Sequence, residues 1–372
     1  MTIAIGIRGA GAAGLSLALA LLETIPDCTI TIADTRARLP HPTRTFCFFR
    51  DADARCPIEP THAWNKVAFS GPQFARTIDC HHAPYALISG DDFFASMLAR
   101  LEASNVSWFW NCQQVSVDQA SITIDSKRYH CDIVFDTAYD SSRSAATLWQ
   151  SFAGMWIETQ EDCFDSDTAT LMELGKSSHD IPIQFIYLLP TSTRSALIEH
   201  TTFCETPWTE SQHLTACHSW LTERNLNGVT IQKIEHGRIP MGMEQVKQVH
   251  PCTVLGTARG AVRASTGYAF QTIQQQAHTA ARSVARALQE GSRLEQHLGM
   301  VQTYPAWMRI SDALFLKALT RSPECGEHIL SQLLYRAPER PLISFLAGTA
   351  SFRDAFKVMR CAPTSHMLRA LW

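Results

Sequence analysis

The run Gly9-Ala10-Gly11-Ala12-Ala13-Gly14 has the spacing with which a backbone can hold a pyrophosphate. In G-x-G-x-x-G the first glycine permits a tight turn, the second admits the phosphates, and the third lets a helix pack on the preceding strand. The phosphates then sit on the free N–H groups and positive end of that helix. Asp34, 20 residues past Gly14, is placed to accept hydrogen bonds from a ribose. A second set of small residues, Gly256 and Ala258 followed by Thr266-Gly267-Tyr268, precedes another helical pattern. It offers a second place for backbone to touch a nucleotide, with an ordinary strand-to-helix connection as the competing reading. The third feature is Glu199, a carboxyl in the middle of an apolar strand pattern. Burial raises a carboxyl pKa, so such a residue can act as a proton donor at neutral pH, unless its face of the strand is solvated.

These residues need particular elements to position them. Ile3–Ile7 predicts a strand, Leu15–Leu22 a buried helix and Thr29–Ile32 a second strand ending at Asp34, so strand, glycine loop, helix, strand and acid are in register. A classical NAD dehydrogenase would continue with regular βαβ units. Here Thr35–Phe49 reads as a loop rich in Pro, Arg and aromatics, and the chain returns to its nucleotide near residue 256, which points to FAD. Val254 ends a strand there, and Phe270, Ile273, Ala277, Ala280, Ala281, Val284 and Leu288 mark a long helix. Between these segments the pattern becomes antiparallel β. Ile183–Leu189 and Ser195–Phe203 form a hairpin-like pair, Thr209–Asn225 a helix, and Gly228–Ile234 a further strand ending at Gly237-Arg238-Ile239-Pro240. Side chains alternate along a strand, so Glu199 shares a face with Leu197, Thr201 and Phe203 while His200 points the other way.

The expected architecture is therefore α/β: a Rossmann-like FAD-binding domain over residues 1–140 and 250–292, an inserted antiparallel β-sheet substrate domain over 141–249, and a C-terminal helical region over 293–372. In that last region Trp307–Leu319, Ile329–Leu334, Leu342–Leu346 and Phe352–Met359 read as helices. Their mixture of aromatics, Leu, Arg and Lys suits core-facing helices or a membrane-surface entrance for an apolar substrate.

Composition excludes several classes. The chain has 372 residues, 45% of them hydrophobic, and 32 Lys+Arg against 35 Asp+Glu. That charge balance argues against a nucleic-acid partner. The 12 cysteines are scattered singly with no metal-like spacing, which predicts reduced thiols in a cytoplasmic protein rather than a disulfide framework. His81-His82 lacks a third ligand and reads as loop surface, so no metal is expected. The Leu15–Leu22 run is far short of the roughly 20 apolar residues of a membrane span.

Several segments together resemble the bacterial lycopene beta-cyclases. Arg44-Thr-Phe-Cys-Phe-Phe49 is similar to the family's His-Thr-Trp-Ser-Phe, and Trp149-Gln-Ser-Phe-Ala-Gly154 to Trp-Gln-x-Phe-x-Gly. Phe164–Glu173 resembles the stretch ending in Met-Asp, and Tyr187-Leu-Leu-Pro190 through Leu197-Ile-Glu-His-Thr201 resembles Tyr-x-Leu-Pro with Glu-Glu-Thr. Thr266-Gly-Tyr268 matches Pro-x-Thr-Gly-Tyr, and Ile343–Thr349 resembles the family's Phe-Tyr-Ala-Gly. His200, Ala264, Phe46 and Glu173 depart from the pattern and mark a divergent member. The resemblance implies an aromatic-hydroxylase-like flavoprotein that cyclises the linear ends of lycopene, or a related polyene, to β-ionone rings without net redox change. It implies Glu199 as the catalytic acid, Phe185, Tyr187 and Phe203 around the substrate, reduced FAD in turnover, NAD(P)H as reductant, and peripheral attachment to a membrane surface.

Two other readings remain at this point. One is an FAD- and NAD(P)H-dependent monooxygenase or halogenase for an apolar substrate, although such enzymes usually carry Gly-Asp-Ala where this chain has Gly256-Thr257-Ala258. The other is a non-catalytic flavin-binding carrier of an apolar ligand.

Overall fold

A computed structural model describes residues 2–38, 44–139, 146–226, 228–243, 252–292 and 304–363. The expected domain boundaries near 140, 250 and 292, part of the loop after Asp34, and the first residues of the C-terminal region lie outside or at the edge of these segments.

The chain opens as its local signals require. Strand β1 (Ala4–Arg8) enters the glycine loop, helix α1 (Ala12–Thr24) follows, and β2 (Thr29–Ala33) returns parallel to β1. With β8 (Val106–Phe109), β12 (Ile133–Asp136) and β18 (Thr253–Val254) they form a parallel sheet in the order β18-β12-β1-β2-β8. Gly9 has φ of +100°, and a Cβ there would lie 2.8 Å from Thr137 Oγ1. A Cβ on Gly14 would lie 1.9 Å from Gly9 O, so α1 packs against the loop as only glycine allows. Helix α4 (Phe270–Glu290) lies along α1, tied by Gln274 Nε2 donating to Ser16 Oγ at 2.9 Å. Its amphipathic face is buried as the sequence pattern requires, except that Leu288 is exposed. A small meander, β9 (Val115–Val117), β10 (Ser121–Ile124) and β11 (Lys127–His130), packs beside this sheet.

The second large sheet has the order β17-β13-β16-β15-β14-β5-β6. Its strands are β5 (Lys66–Gly71), β6 (Phe74–Asp79), β13 (Leu148–Glu158), β14 (Thr168–Leu174), β15 (Ile183–Pro190), β16 (Ser195–Cys204) and β17 (Thr230–Met241). Neighbours are antiparallel except β14 and β5, which run parallel. Strands β5 and β6 come from within the 1–140 span expected for the nucleotide domain. They pair instead with the substrate-side sheet, because Val67, Phe69 and Ile78 are buried in its core. Two further sequence expectations are corrected here. Thr45–Phe49 is not loop but strand β3, paired with β7 (Tyr85–Ser89), which in turn pairs with β4 (His62–Trp64). Strand β17 does not end at Gly237 but runs on to Met241, because β13 offers it an unbroken partner.

Helix α2 (Gly90–Glu102) follows β7. Phe46 and Phe48 of β3 pack with Phe93 of α2 and Phe270 of α4, a cluster of rings with centroids 5.0–5.7 Å apart. This joins the nucleotide half to the sheet half. Helix α3 (Glu210–Glu223) starts in a capping box between Thr209 and Gln212 and covers the back of the large sheet through Cys217, Trp220 and Leu221. The C-terminal helices are α5 (Ala306–Arg321), α6 (Gly326–Arg336), α7 (Glu339–Ala347) and α8 (Phe352–Met359). Arg76 of β6 donates to the carbonyls of Leu334, Tyr335 and Ala337, filling the open C-terminal end of α6. Arg263 and Asp312 form a fully buried ion pair that fastens α5 beside the Thr266–Tyr268 turn.

Candidate active site

Strands β15, β16, β13 and β17 lie in register, so their side chains form rows across the sheet. One row reads Tyr187, Glu199, Gly154, Glu235. The next reads Phe185, Thr201, Phe152, Gly237, and beyond it come Phe203, Gln150 and Ile239. Apart from Gly154, all of these border one cavity of about 690 Å³. The same cavity continues to Gly9, Gly11, Ala12, Ala13 and Asp34 at the nucleotide loop, and to Thr266, Gly267 and Tyr268. The alternation argument for β16 therefore fits the structure: Leu197, Glu199, Thr201 and Phe203 face the cavity.

The nucleotide end has the makings of a phosphate cradle. Gly11 caps α1 with no side-chain hydrogen bond, leaving N–H groups at the helix start to meet an anion. Asp34 accepts from the Ala10 N–H at 2.7 Å and from the Arg36 backbone and guanidinium at 2.6–3.0 Å. Its acceptor positions are thereby filled, so a ribose hydroxyl would have to displace the guanidinium of Arg36, which is partly exposed. At the other end Gly267 has φ of +72°, and Gln150 Oε1 sits where its Cβ would be, at 2.1 Å. That oxygen is buried with no hydrogen-bond partner among the described residues, and the Gln150 residue borders the cavity. Ala10, Gly14, Gly256 and Ala258 do not border the cavity. Gly256 instead packs its turn against Ala13, where a Cβ would lie 2.9 Å from that residue's own Cβ, and Gln276 accepts its N–H at 2.7 Å.

The chemistry lies on the sheet. Glu199 is 9% exposed, and its carboxylate accepts one hydrogen bond, from Thr201 Oγ1 at 3.0 Å. Burial, together with the nearby charge of Glu235, pushes its pKa up to about 8. At neutral pH it is a carboxylic acid facing rings. Phe185 meets Phe203 edge-on at 5.8 Å, and Tyr187 OH lies 2.5 Å from Tyr85 OH, itself 2.9 Å from Tyr268 OH. Burial raises the pKa of all three phenols and of the adjacent Cys47 thiol, so these groups stay neutral.

His200 points the other way, toward α3. Its Nδ1 lies 2.9 Å from His213 Nδ1, and His213 Nε2 lies 3.1 Å from Ser151 Oγ. Burial holds His200 down at about 4 and, with His200 adding to it, His213 at about 3. Glu173 also belongs to the back of the sheet, where it accepts from Trp220 Nε1 at 3.1 Å and from Arg224. Met172, beside it, borders the cavity.

Sequence reading missed Glu235, Arg36, Arg44, Tyr85 and Cys47, which all border the cavity. Continued alternation through Gly237 would have put Glu235 on the face shared with Gly237 and Ile239. Arg36 follows from its nearness to Asp34, two residues before it, while Arg44, Tyr85 and Cys47 depend on the pairing of β3 with β7. Among the described residues no group of three or more His, Cys, Asp or Glu could hold a metal ion.

Comparison with known proteins agrees with this geometry. The family model described as "Lycopene cyclase protein" matches residues 5–372. A lycopene beta-cyclase of Paracoccus sp. (strain N81106 / MBIC 01143) is 23% identical over 381 residues, covering 98% of this chain and 95% of that one. Among solved structures, a geranylgeranyl bacteriochlorophyll reductase-like protein of Thermoplasma acidophilum aligns with a TM-score of 0.68 at 11% identity, over 99% of this chain and 98% of its own. PqsL, a probable FAD-dependent monooxygenase of Pseudomonas aeruginosa, aligns at 0.62 and 13% identity, over 89% and 99%. The fold is that of the monooxygenase-like flavoproteins.

Proposed function

The chain belongs to the lycopene cyclase family, and from that premise we propose that it closes the linear ends of lycopene, or of a related polyene, into β-ionone rings without net redox change. The observation that carries this reading is Glu199: a buried, protonated carboxyl on the floor of a largely apolar and aromatic cavity that adjoins a nucleotide cleft.

Ring closure starts when a terminal C=C takes a proton. The acid must be neutral and shielded from water, since water would keep it ionised or quench the cation. Glu199 meets both conditions. Once the cation forms, the faces of Tyr187, Phe185 and Phe203 can stabilise it by about 1–2 kcal/mol each when desolvated. The Tyr187–Tyr85–Tyr268 hydroxyl chain holds the Tyr187 ring in place and leaves no ionised phenol to trap the cation. Thr201 fixes the orientation of the Glu199 carboxyl.

FAD is the cofactor that this cleft suits. The start of α1, Asp34 and Arg36 would hold its adenosine and phosphates, and Thr266, Gly267, Tyr268 and Gln150 would border its ring end. Reduced flavin, kept so by NAD(P)H, would supply electron density near the cation.

Lycopene dissolves in membranes, so the protein must dock on one to collect it. No described helix is long and apolar enough to cross a bilayer. Phe352 and Phe356 of α8 and Ile310 of α5 are exposed, Trp307 stacks edge-on with Phe352, and Arg309, Arg353 and Arg360 lie among them. Exposed apolar side chains with arginines near them in sequence suit the surface of an anionic bilayer.

The test is expression in a lycopene-accumulating bacterium. A product of equal mass that absorbs at shorter wavelength is expected. Unchanged lycopene beside a chain shown to hold FAD would overturn the assignment.

A further inference from the structure

The cavity floor carries two carboxyls, and the mechanism above uses one. Glu235 is 2% exposed, lies on β17, and is register-paired with Gly154 of β13 from the side opposite Glu199. At the usual strand spacing the two glutamates stand roughly 10 Å apart at Cα, with their side chains on the same face. The residue between them is glycine, so no side chain of β13 separates them. A Cβ there would lie 2.9 Å from Glu199 Cβ and 2.9 Å from Leu197 Cδ1. An acid therefore stands on each bank of Gly154, whose own place is closed over by the Glu199 and Leu197 side chains, and both acids border the cavity.

The banks differ. Glu235 accepts from Thr45 Oγ1 at 2.8 Å, and the cations of Arg44 and Lys233 face it. Glu199 has only Thr201 and faces neutral Cys47 and Tyr187. Burial raises both carboxyls, but only Glu235 has nearby cations to favour its charged form, and that charge in turn helps to keep Glu199 protonated. Two carboxyls whose surroundings push them apart are the pattern of an acid and a base.

We propose that Glu235 is the base that takes the ring proton, working with Glu199 from the same face of the cavity; this rests on the cyclisation reading above. Glu199 gives its O–H proton to one carbon of the terminal C=C, whose π electrons form the new C–H bond and leave a cation. A nearby C=C then closes the ring C–C bond and moves the cation into the ring. A C–H bond beside that carbon breaks, its electrons form the ring double bond, and the proton goes to the Glu235 carboxylate. Return of the proton from Glu235 to Glu199 restores both groups, so the product is an isomer of the substrate. Because Glu235 selects which C–H breaks, it sets the position of the ring double bond.

The experiment uses the full chain loaded with FAD and a reductant, with lycopene in liposomes. Wild type, Glu235→Gln and Glu235→Asp are compared for bound flavin by absorbance, for rate, and for ring double-bond position in the product. Glu235→Gln is expected to hold flavin and lose about a hundredfold in rate, its residual product shifted toward other ring isomers. Glu235→Asp recovers part of the rate. A Glu235→Gln protein within threefold of wild type overturns the proposal. So does one that is slow but makes only the wild-type isomer, since Glu235 would then merely tune Glu199. If Glu235→Gln fails to hold flavin, Glu235→Asp and Thr45→Val decide: an unchanged isomer ratio in both overturns the proposal. Wild type that forms no ring from lycopene overturns the cyclisation reading itself, whereas active wild type indifferent to Glu235 overturns only the role of Glu235.

Discussion

Strand β16 buries titratable groups on both of its faces, one residue apart, and the two faces settle the cost of burial differently. On the cavity side Glu199 has one hydrogen bond and open space in front of it. On the α3 side His200 is closed in by His213 and Trp208, with ring centroids 5.2 and 5.4 Å away. Desolvation acts on both. It makes the carboxyl hold its proton and the imidazoles lose theirs, so each group is neutral near pH 7. The difference is access. A neutral acid facing a cavity can give up a proton to a guest, whereas neutral imidazoles hydrogen-bonded to each other and to Ser151 only hold α3 on the sheet.

If that contrast is right, the two faces respond to mutation in different observables. The largest effect belongs to the cavity face. Glu199→Gln keeps the shape and removes the proton, and is expected to lower cyclisation by about 10²–10⁴-fold while flavin content stays unchanged. Product formed at the wild-type rate by this variant would remove Glu199 from the chemistry. Gly154→Ala comes next. Its methyl group presses on Glu199 Cβ and Leu197 Cδ1 and displaces the acid, so a loss of roughly ten- to a hundredfold is expected, read as a fall in kcat.

The back face shows itself in stability instead. His213→Ala leaves His200 buried without its partner and is expected to cost about 1–3 kcal/mol by denaturant unfolding, with cyclisation within twofold of wild type. A large loss of rate at full stability would mean that the histidines take part in the reaction.

The remaining effect is the pH dependence of stability, which has opposite signs on the two faces. The folded-state pKa of Glu199 lies near 8 against an ordinary 4.5, so its contribution is full below about 4.5 and is lost as pH rises through about 8. The histidines are lowered from 6.5 to about 4 and about 3, so theirs is present above 6.5 and is lost as pH falls through those values. Thermal melts of Glu199→Gln should therefore show a smaller alkaline decline between about pH 5 and about pH 9, with Glu235 contributing what is left, and keep the acid one.

Much of this contrast was legible in the sequence. The glycine loop, α1, β2 and Asp34 are contiguous, and their spacing is a local property of the backbone. Alternation along Ser195–Phe203 already separated Glu199 from His200. Glu235 was hidden because Gly237 looks like the end of a strand. In the fold, Phe152 of β13 covers that glycine, with its ring atom Cζ 2.8 Å from where a Cβ would be, and the strand continues. Arg36 is only two residues from Asp34 and was within reach of a local reading, whereas Tyr85 on Tyr187, and β5 and β6 in the far sheet, depend on pairings across long stretches of chain. Periodicity carries no record of those.

The central claim is that Glu199 is a carboxylic acid, not a carboxylate, at working pH. Infrared difference spectra of the flavin-loaded chain, with Glu199→Gln as the subtracted reference, test it directly. The carbonyl band of a neutral carboxyl is expected at pH 7, replaced by a carboxylate band as pH passes about 8. A Glu199 already ionised at about pH 6, well above the ordinary glutamate range, would contradict it.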